Sequence, residues 1–76
     1  MKAKVIKQMQ PQHLAEKSFV YITYGAAEYD IFITKITHSP FGDEIEFIGD
    51  SALKMPLGAE FFIGKKNDKK IKMEVI

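Results

Sequence analysis

Apolar and polar residues alternate along most of this 76-residue chain, which is the pattern of β-strands. The strongest segments are 18–24 (SFVYITY) and 29–37 (YDIFITKIT), because β-branched and aromatic residues favour strands. The same alternation predicts further strands over 2–10, 44–48, 60–64 and 70–76. A short helical turn is predicted near 51–55. Asp50 or Ser51 can cap its start, and Pro56 stops it.

Short strands that recur roughly every ten residues predict an all-β fold, either a small five- to six-stranded barrel or a strongly bent antiparallel meander. The SH3-like and OB-like barrels are the natural classes, and residues 1–76 are expected to form one small β domain. A barrel also removes the sheet edges that such apolar strands would expose. The stretch 18–49 faintly resembles the strand-turn-strand body of Sm-like and other SH3-like barrels. It lacks an Sm signature, so this resemblance assigns no family.

The segments 18–24 and 29–37 predict a β-hairpin with a four-residue loop, 25–28, in which Tyr24 faces Tyr29. One face of the hairpin is then entirely apolar: Val20, Ile22, Tyr24, Tyr29, Ile31 and Ile33. The reverse face carries three aromatic residues beside polar ones: Phe19, Tyr21 and Phe32. Three interpretations stay open for these aromatics. They are core covered by other segments, a patch for protein binding or self-association, or a stacking platform for single-stranded nucleic acid.

Charge is divided along the chain, although eleven lysines against ten acidic residues leave a net charge of +1. Residues 1–17 sum to +3, residues 18–64 to −5 and residues 65–76 to +3. The acidic segment 43–50, with Asp43, Glu44 and Glu46 as its candidate site residues, is predicted to orient a protein partner on the aromatic face. An alternative nucleic-acid surface combines the C-terminal lysines with the hairpin tyrosines: Lys65, Lys66, Lys69, Lys70 and Lys72 with Tyr21, Tyr24 and Tyr29.

The residue types needed for catalysis are scarce. There is no Cys, and the two histidines, His13 and His38, match no catalytic spacing. No metal-ligand, phosphate-loop or dinucleotide motif is present, so we expect no catalytic residue, no metal and no cofactor. No apolar run approaches the length of a membrane span, and neither a membrane nor a small-molecule substrate is expected as a partner. The expected location is the cytoplasm.

The sequence therefore predicts a non-enzymatic module that binds a protein partner or a second copy of itself through Phe19, Tyr21 and Phe32. The alternative is a small nucleic-acid-binding barrel. All eleven basic residues are lysine, and no arginine is available for bidentate contacts to guanine, which makes sequence-specific DNA recognition less favourable. Abundant Lys, Ile, Phe and Tyr, whose codons are AT-rich, favour a low-GC bacterium or its phage as the source, a hypothesis that the coding DNA would test.

Overall fold

Six β-strands close into one antiparallel barrel in the computed structural model, which describes residues 1–76. The strands are β1 (Lys2–Gln8), β2 (Ser18–Tyr24), β3 (Ala27–Thr37), β4 (Glu44–Gly49), β5 (Glu60–Ile63) and β6 (Ile71–Val75). Their order around the barrel is β1-β4-β3-β2-β5-β6, and β6 pairs with β1 to close it. The predicted all-β class and the barrel are confirmed. No α-helix of the length and apolarity needed to cross a membrane occurs in the fold.

Alternate residues of the strands point inward and fill the barrel. At its centre the rings of Phe47 on β4 and Phe61 on β5 lie 5.7 Å apart between centroids, and both side chains are buried. Burial of each such side chain contributes about 1.5–3 kcal/mol relative to leaving it in water. The remaining buried apolar residues surround this pair: Ala3, Ile22, Ile31, Ile33, Ile45, Leu53, Met55, Ile63, Ile71, Met73 and Val75.

Residues 51–55 do not form the predicted helical turn. Asp50 instead closes a β-turn, in which its backbone oxygen accepts from the N–H of Leu53 at 2.9 Å. Its carboxylate accepts from the N–H of Ala52 at 2.8 Å, the local bond that Asp side chains use to hold turns. Leu53 and Met55 then alternate into the core, and Pro56 keeps Met55 extended. This short segment therefore adds to the barrel core without regular structure.

The β2–β3 hairpin has a two-residue loop, Gly25-Ala26, and the predicted four-residue loop is wrong. Tyr24 pairs with Ala27, and Ile22 pairs with Tyr29. Gly25 has a φ of 60°, which suits a Gly at the first loop position of a type II′ turn. The register thus differs from the prediction by two residues. Because side chains alternate with a period of two, the predicted membership of each face is unchanged.

Candidate functional site

Three large apolar side chains form a line across the outer surface of β2, β3 and β4. Phe19 lies directly opposite Phe32, and Phe32 lies directly opposite Ile48. The rings of Phe19 and Phe32 meet edge to face, with centroids 4.9 Å apart. Phe19 is 75% exposed and Ile48 is 60% exposed, while Phe32 between them is half-buried. We call Phe19, Phe32 and Ile48 the apolar row.

The apolar row is not a second core. Its strands turn their alternate residues, such as Ile33 and Phe47, into the barrel, so the row necessarily points outward. Strands β1 and β6 pair with each other on the other side of β4 and do not cover it. The segment 51–55 packs into the barrel through Leu53 and Met55. The interpretation in which other segments bury these aromatics is therefore wrong.

A shallow groove of about 410 Å³ runs along the apolar row, and its charged borders are both acidic. Asp30 precedes Phe32 by two residues on the same outer face of β3, and Asp50 follows the end of β4. Neither carboxylate forms an ion pair, and both residues are exposed. The carboxylate of Asp30 also accepts no hydrogen bond, whereas that of Asp50 accepts from the backbone N–H of Ala52. The row is thus an apolar strip with an acidic border.

Tyr21 extends the outer face of β2 next to Phe19, but its surroundings differ. The Nζ atom of Lys65 lies 4.4 Å from the centroid of the Tyr21 ring, although the side chain is still 51% exposed. A groove of about 300 Å³ separates this part of β2 from the loop 64–70. Phe19 and Tyr21 both line that groove. Of the three predicted aromatics, Phe19 and Phe32 therefore belong to the apolar row, and Tyr21 connects the row to the lysine-rich loop.

The acidic residues that were predicted to orient a partner are only partly free. The Oδ1 atom of Asp43 lies 3.0 Å from Nδ1 of His38, and Glu46 approaches Lys2 at 3.8 Å. Glu44 has no such partner. Glu46 does lie on the same outer face of β4 as Ile48, two residues away. The carboxylates that border the groove itself, however, are Asp30 and Asp50.

The C-terminal lysines are largely engaged within the molecule. Lys70 pairs with Asp68 at 3.5 Å, and Lys72 pairs with Glu60 at 2.8 Å. The Nζ atoms of Lys69 and Lys72 lie 4.6 and 5.9 Å from the centroid of the Phe62 ring on β5. Lys66 forms no ion pair, and its backbone N–H donates to Glu28 at 2.7 Å. Among the five predicted lysines, the ammonium groups of Lys65, Lys66 and Lys69 thus remain without an anionic partner.

The three hairpin tyrosines do not form one stacking platform. Tyr24 and Tyr29 lie on the inner face of the hairpin, where both pack against the core. Tyr21 lies on the outer face. Tyr29 and Tyr21 border a common groove of about 240 Å³ at the barrel end, together with Lys65. The nucleic-acid surface predicted from the sequence is therefore reduced to Tyr21 and its neighbouring lysines, with Tyr29 at the margin.

The polar contacts outside these surfaces are local. The contact between His38 and Asp43 is open to solvent, with side chains 82% and 46% exposed. The hydroxyl of Ser39 accepts from the backbone N–H of Phe41 at 3.2 Å and so belongs to the adjacent turn. Nowhere do three or more His, Asp or Glu side chains converge as metal ligands would.

Ile48 was not predicted as a member of the candidate surface, and neither Asp30, one of the polar residues of the reverse face, nor Asp50, in the acidic segment 43–50, was predicted to border a groove there. The signal for Ile48 was present, because Ile45 and Phe47 point inward and the next residue on the strand must point outward. Its position beside Phe32 depends on the β3–β4 register, which the chain does not reveal locally. Comparisons with protein-family models, curated proteins and solved structures found no match for this chain. The functional proposal therefore depends on the surface itself.

Proposed function

We propose that this protein is a non-enzymatic interaction module whose apolar row binds a protein partner. The observation that carries the proposal is the alignment of Phe19, Phe32 and Ile48 across three adjacent strands, with two of the three mostly exposed. Exposed apolar patches of this kind mark sites of protein association. Covering them recovers about 25 cal/mol for each Å² of apolar surface removed from water. The lysine-rich, arginine-free composition supports a low-GC bacterium or phage as the source, and a cytoplasmic location is part of the same proposal.

Ile48→Ser tests the proposal, with Leu57→Ser as its matched control. Leu57 is 81% exposed and lies in the turn before β5, outside the apolar row. Wild-type protein should select binding peptides from a random display library, and Leu57→Ser should retain them. Ile48→Ser should weaken their binding at least about tenfold, because one of the two exposed apolar contacts of the row is lost. Peptides that bind both variants equally well would place the binding surface elsewhere.

Single-stranded nucleic acid is the second candidate ligand, because Tyr21 lies beneath Lys65, and neither Lys65 nor the next residue, Lys66, has an anionic partner. Aromatic rings next to lysines offer both base stacking and phosphate contacts. Binding of fluorescent single-stranded oligonucleotides should then be measurable at low salt and weaken steeply towards physiological salt, as counterion release requires. No detectable binding at low salt would eliminate this candidate.

A further inference from the structure

We infer that the apolar row binds a polypeptide segment in which an apolar side chain is flanked by Arg or Lys, and not a second copy of this chain. The inference rests on the proposed function and names the chemistry of its partner. It follows from the charges that border the groove and from the small area that the row offers.

The two carboxylates lie together on one side of the apolar row, where both can meet a cation beside an apolar anchor. Asp30 and Phe32 are two residues apart on one face of β3, a separation of about 7 Å along a strand. Asp50 lies beyond Ile48 on the same side of the row as Asp30, because Ile31 pairs with Gly49 and the next residues along the two antiparallel strands are Asp30 and Asp50. Both carboxylates are exposed and neither has a cationic partner within the molecule. A ligand with a basic residue beside its apolar anchor gains these contacts without breaking an existing ion pair.

Arginine fits this surface particularly well. Its planar guanidinium donates two parallel hydrogen bonds to a carboxylate and also stacks on aromatic rings. Asp30 supplies such a carboxylate next to the exposed ring of Phe19 and the half-buried ring of Phe32. Lysine offers the charge but not the planar geometry, so we expect it to bind more weakly at the same place.

A second copy of the chain does not complement the groove. In a two-fold symmetric dimer each surface meets itself. The lining of the groove includes no basic residue, so the apolar row of a second copy brings no cation to Asp30 or Asp50. A stable interface also buries about 800 Å² on each partner, whereas the row consists of three side chains on a molecule that exposes 4913 Å² in total. The row therefore suits a peptide-sized contact.

Three synthetic peptides of equal length test the inference, with a central Leu flanked by Arg, by Ser or by Glu. Each is titrated into isotope-labelled protein and followed through backbone amide chemical shifts. The Arg-flanked peptide should shift the amide signals of Phe19, Phe32 and Ile48. It should also bind at least about tenfold more tightly than the Glu-flanked peptide, because each exposed charge pair contributes little alone but the two aspartates act together. The double variant Asp30→Asn/Asp50→Asn should remove most of that difference. Glu44→Gln, which neutralises an unpaired carboxylate outside the groove, should leave it intact.

The outcomes separate the inference from the proposed function. Equal binding of the Arg-, Ser- and Glu-flanked peptides at the row overturns the basic-partner inference and leaves the row as a binding site. Sedimentation that shows a dimer dependent on Ile48 overturns the inference in favour of a second copy. Absence of any shift at the row with all three peptides also overturns it. In that case the display experiment with Ile48→Ser decides independently whether the row binds protein at all.

Discussion

Aromatic side chains lie on the outer surface on both sides of β2, and only those on the β5 side are shielded. Phe62 on β5 lies beneath Lys69 and Lys72, and Tyr21 lies beneath Lys65. Phe19, which meets Phe32 and Ile48 towards β4, has no lysine over its ring and is 75% exposed. Long lysine stems cover apolar surface while their charge stays in water. The same fold thus shields one set of rings and leaves the other bare, which makes the bare set the stronger candidate for binding.

The two regions also differ in whether their charged side chains are already paired within the molecule. On the β5–β6 side, Lys70 and Lys72 are already paired with Asp68 and Glu60. Along the apolar row, Asp30 and Asp50 have no ion pairs. An external ligand must therefore compete with internal partners for those two lysines but not for either of the two aspartates. Residues 18–64 carry a net charge of −5. At the apolar row, two acidic residues of this segment, Asp30 and Asp50, are free to bind a cation.

Gly64→Ala should give the largest effect, because it disturbs the loop that carries the lysines. Gly64 has a φ of 112°, and an added Cβ would collide with the backbone oxygen of Asp68. The backbone oxygen of Gly64 also accepts from the buried hydroxyl of Thr23 at 2.8 Å. The strained backbone and the collision together should lower the free energy of unfolding by about 3 kcal/mol or more, measured by urea denaturation.

Gly58→Ala is the control for this substitution. Gly58 has a φ of 84°, but an added Cβ meets no atom within 4 Å. Gly58→Ala should therefore lower the free energy of unfolding only by the backbone penalty, about 1 kcal/mol. If the two variants lose the same stability, the backbone of Asp68 does not lie against Gly64 in solution, and the position of the lysine-bearing loop over the rings is then in question.

Phe62→Ala and Phe19→Ala compare the two regions directly. Truncation of a fully buried Phe to Ala lowers the free energy of unfolding by about 3–5 kcal/mol. Phe62 is half-buried, so Phe62→Ala should lower it by about 2 kcal/mol. Phe19 is mostly in water and should cost less than about 1 kcal/mol. Urea denaturation of dilute protein measures both losses. Equal losses would mean that Phe19 is covered in solution, contrary to its exposure in the structure.

Lys65→Gln should give the smallest effect, because it removes one cation from a partly exposed ring. A cation–π contact at an exposed site contributes about 0.5–1 kcal/mol, so stability should fall by no more than that. A second measurement is sharper: the side-chain protons of Lys65 nearest the Tyr21 ring should show upfield NMR shifts in the wild-type protein. Lys54→Gln, at an exposed lysine without an ion pair, is the control and should not change stability. Unshifted Lys65 protons would show that Tyr21 is as bare as Phe19.

Much of the fold could be predicted because strand alternation is a local property. The strong segments 18–24 and 29–37 correspond to β2 and β3, and the weaker ones lie within two residues of the strands observed. The loop 25–28 was predicted too long because the Gly-Ala pair was not recognised as a two-residue turn with Gly first. The helical turn failed because a single Asp50 side chain stabilises a β-turn as readily as a helix start.

The apolar part of the candidate surface was predicted only where it lies within one hairpin. Alternate residues of a strand face opposite sides of the sheet, which places Phe19, Tyr21 and Phe32 on the outer face. An error of two residues in the loop length leaves that assignment unchanged. Ile48 and Asp50 join them through the β3–β4 register, which shifts at an irregularity between Ile33 and Lys35. Such a shift comes from the curvature of the closed barrel. It therefore depends on contacts that no short segment of sequence encodes.

The position of β1 has a consequence for how the barrel assembles. Strands β2, β3 and β4 are joined by consecutive hairpins, whereas β1 pairs only with β4 and β6, both remote in sequence. The three-stranded meander can therefore form early, whereas closure of the barrel must wait until β6 is available. Non-local pairing of this kind places folding in roughly the millisecond-to-second range. Until closure, the meander exposes its inward isoleucines as well as the apolar row. Stopped-flow refolding followed by tyrosine fluorescence would time that interval, in which the chain is most exposed to aggregation.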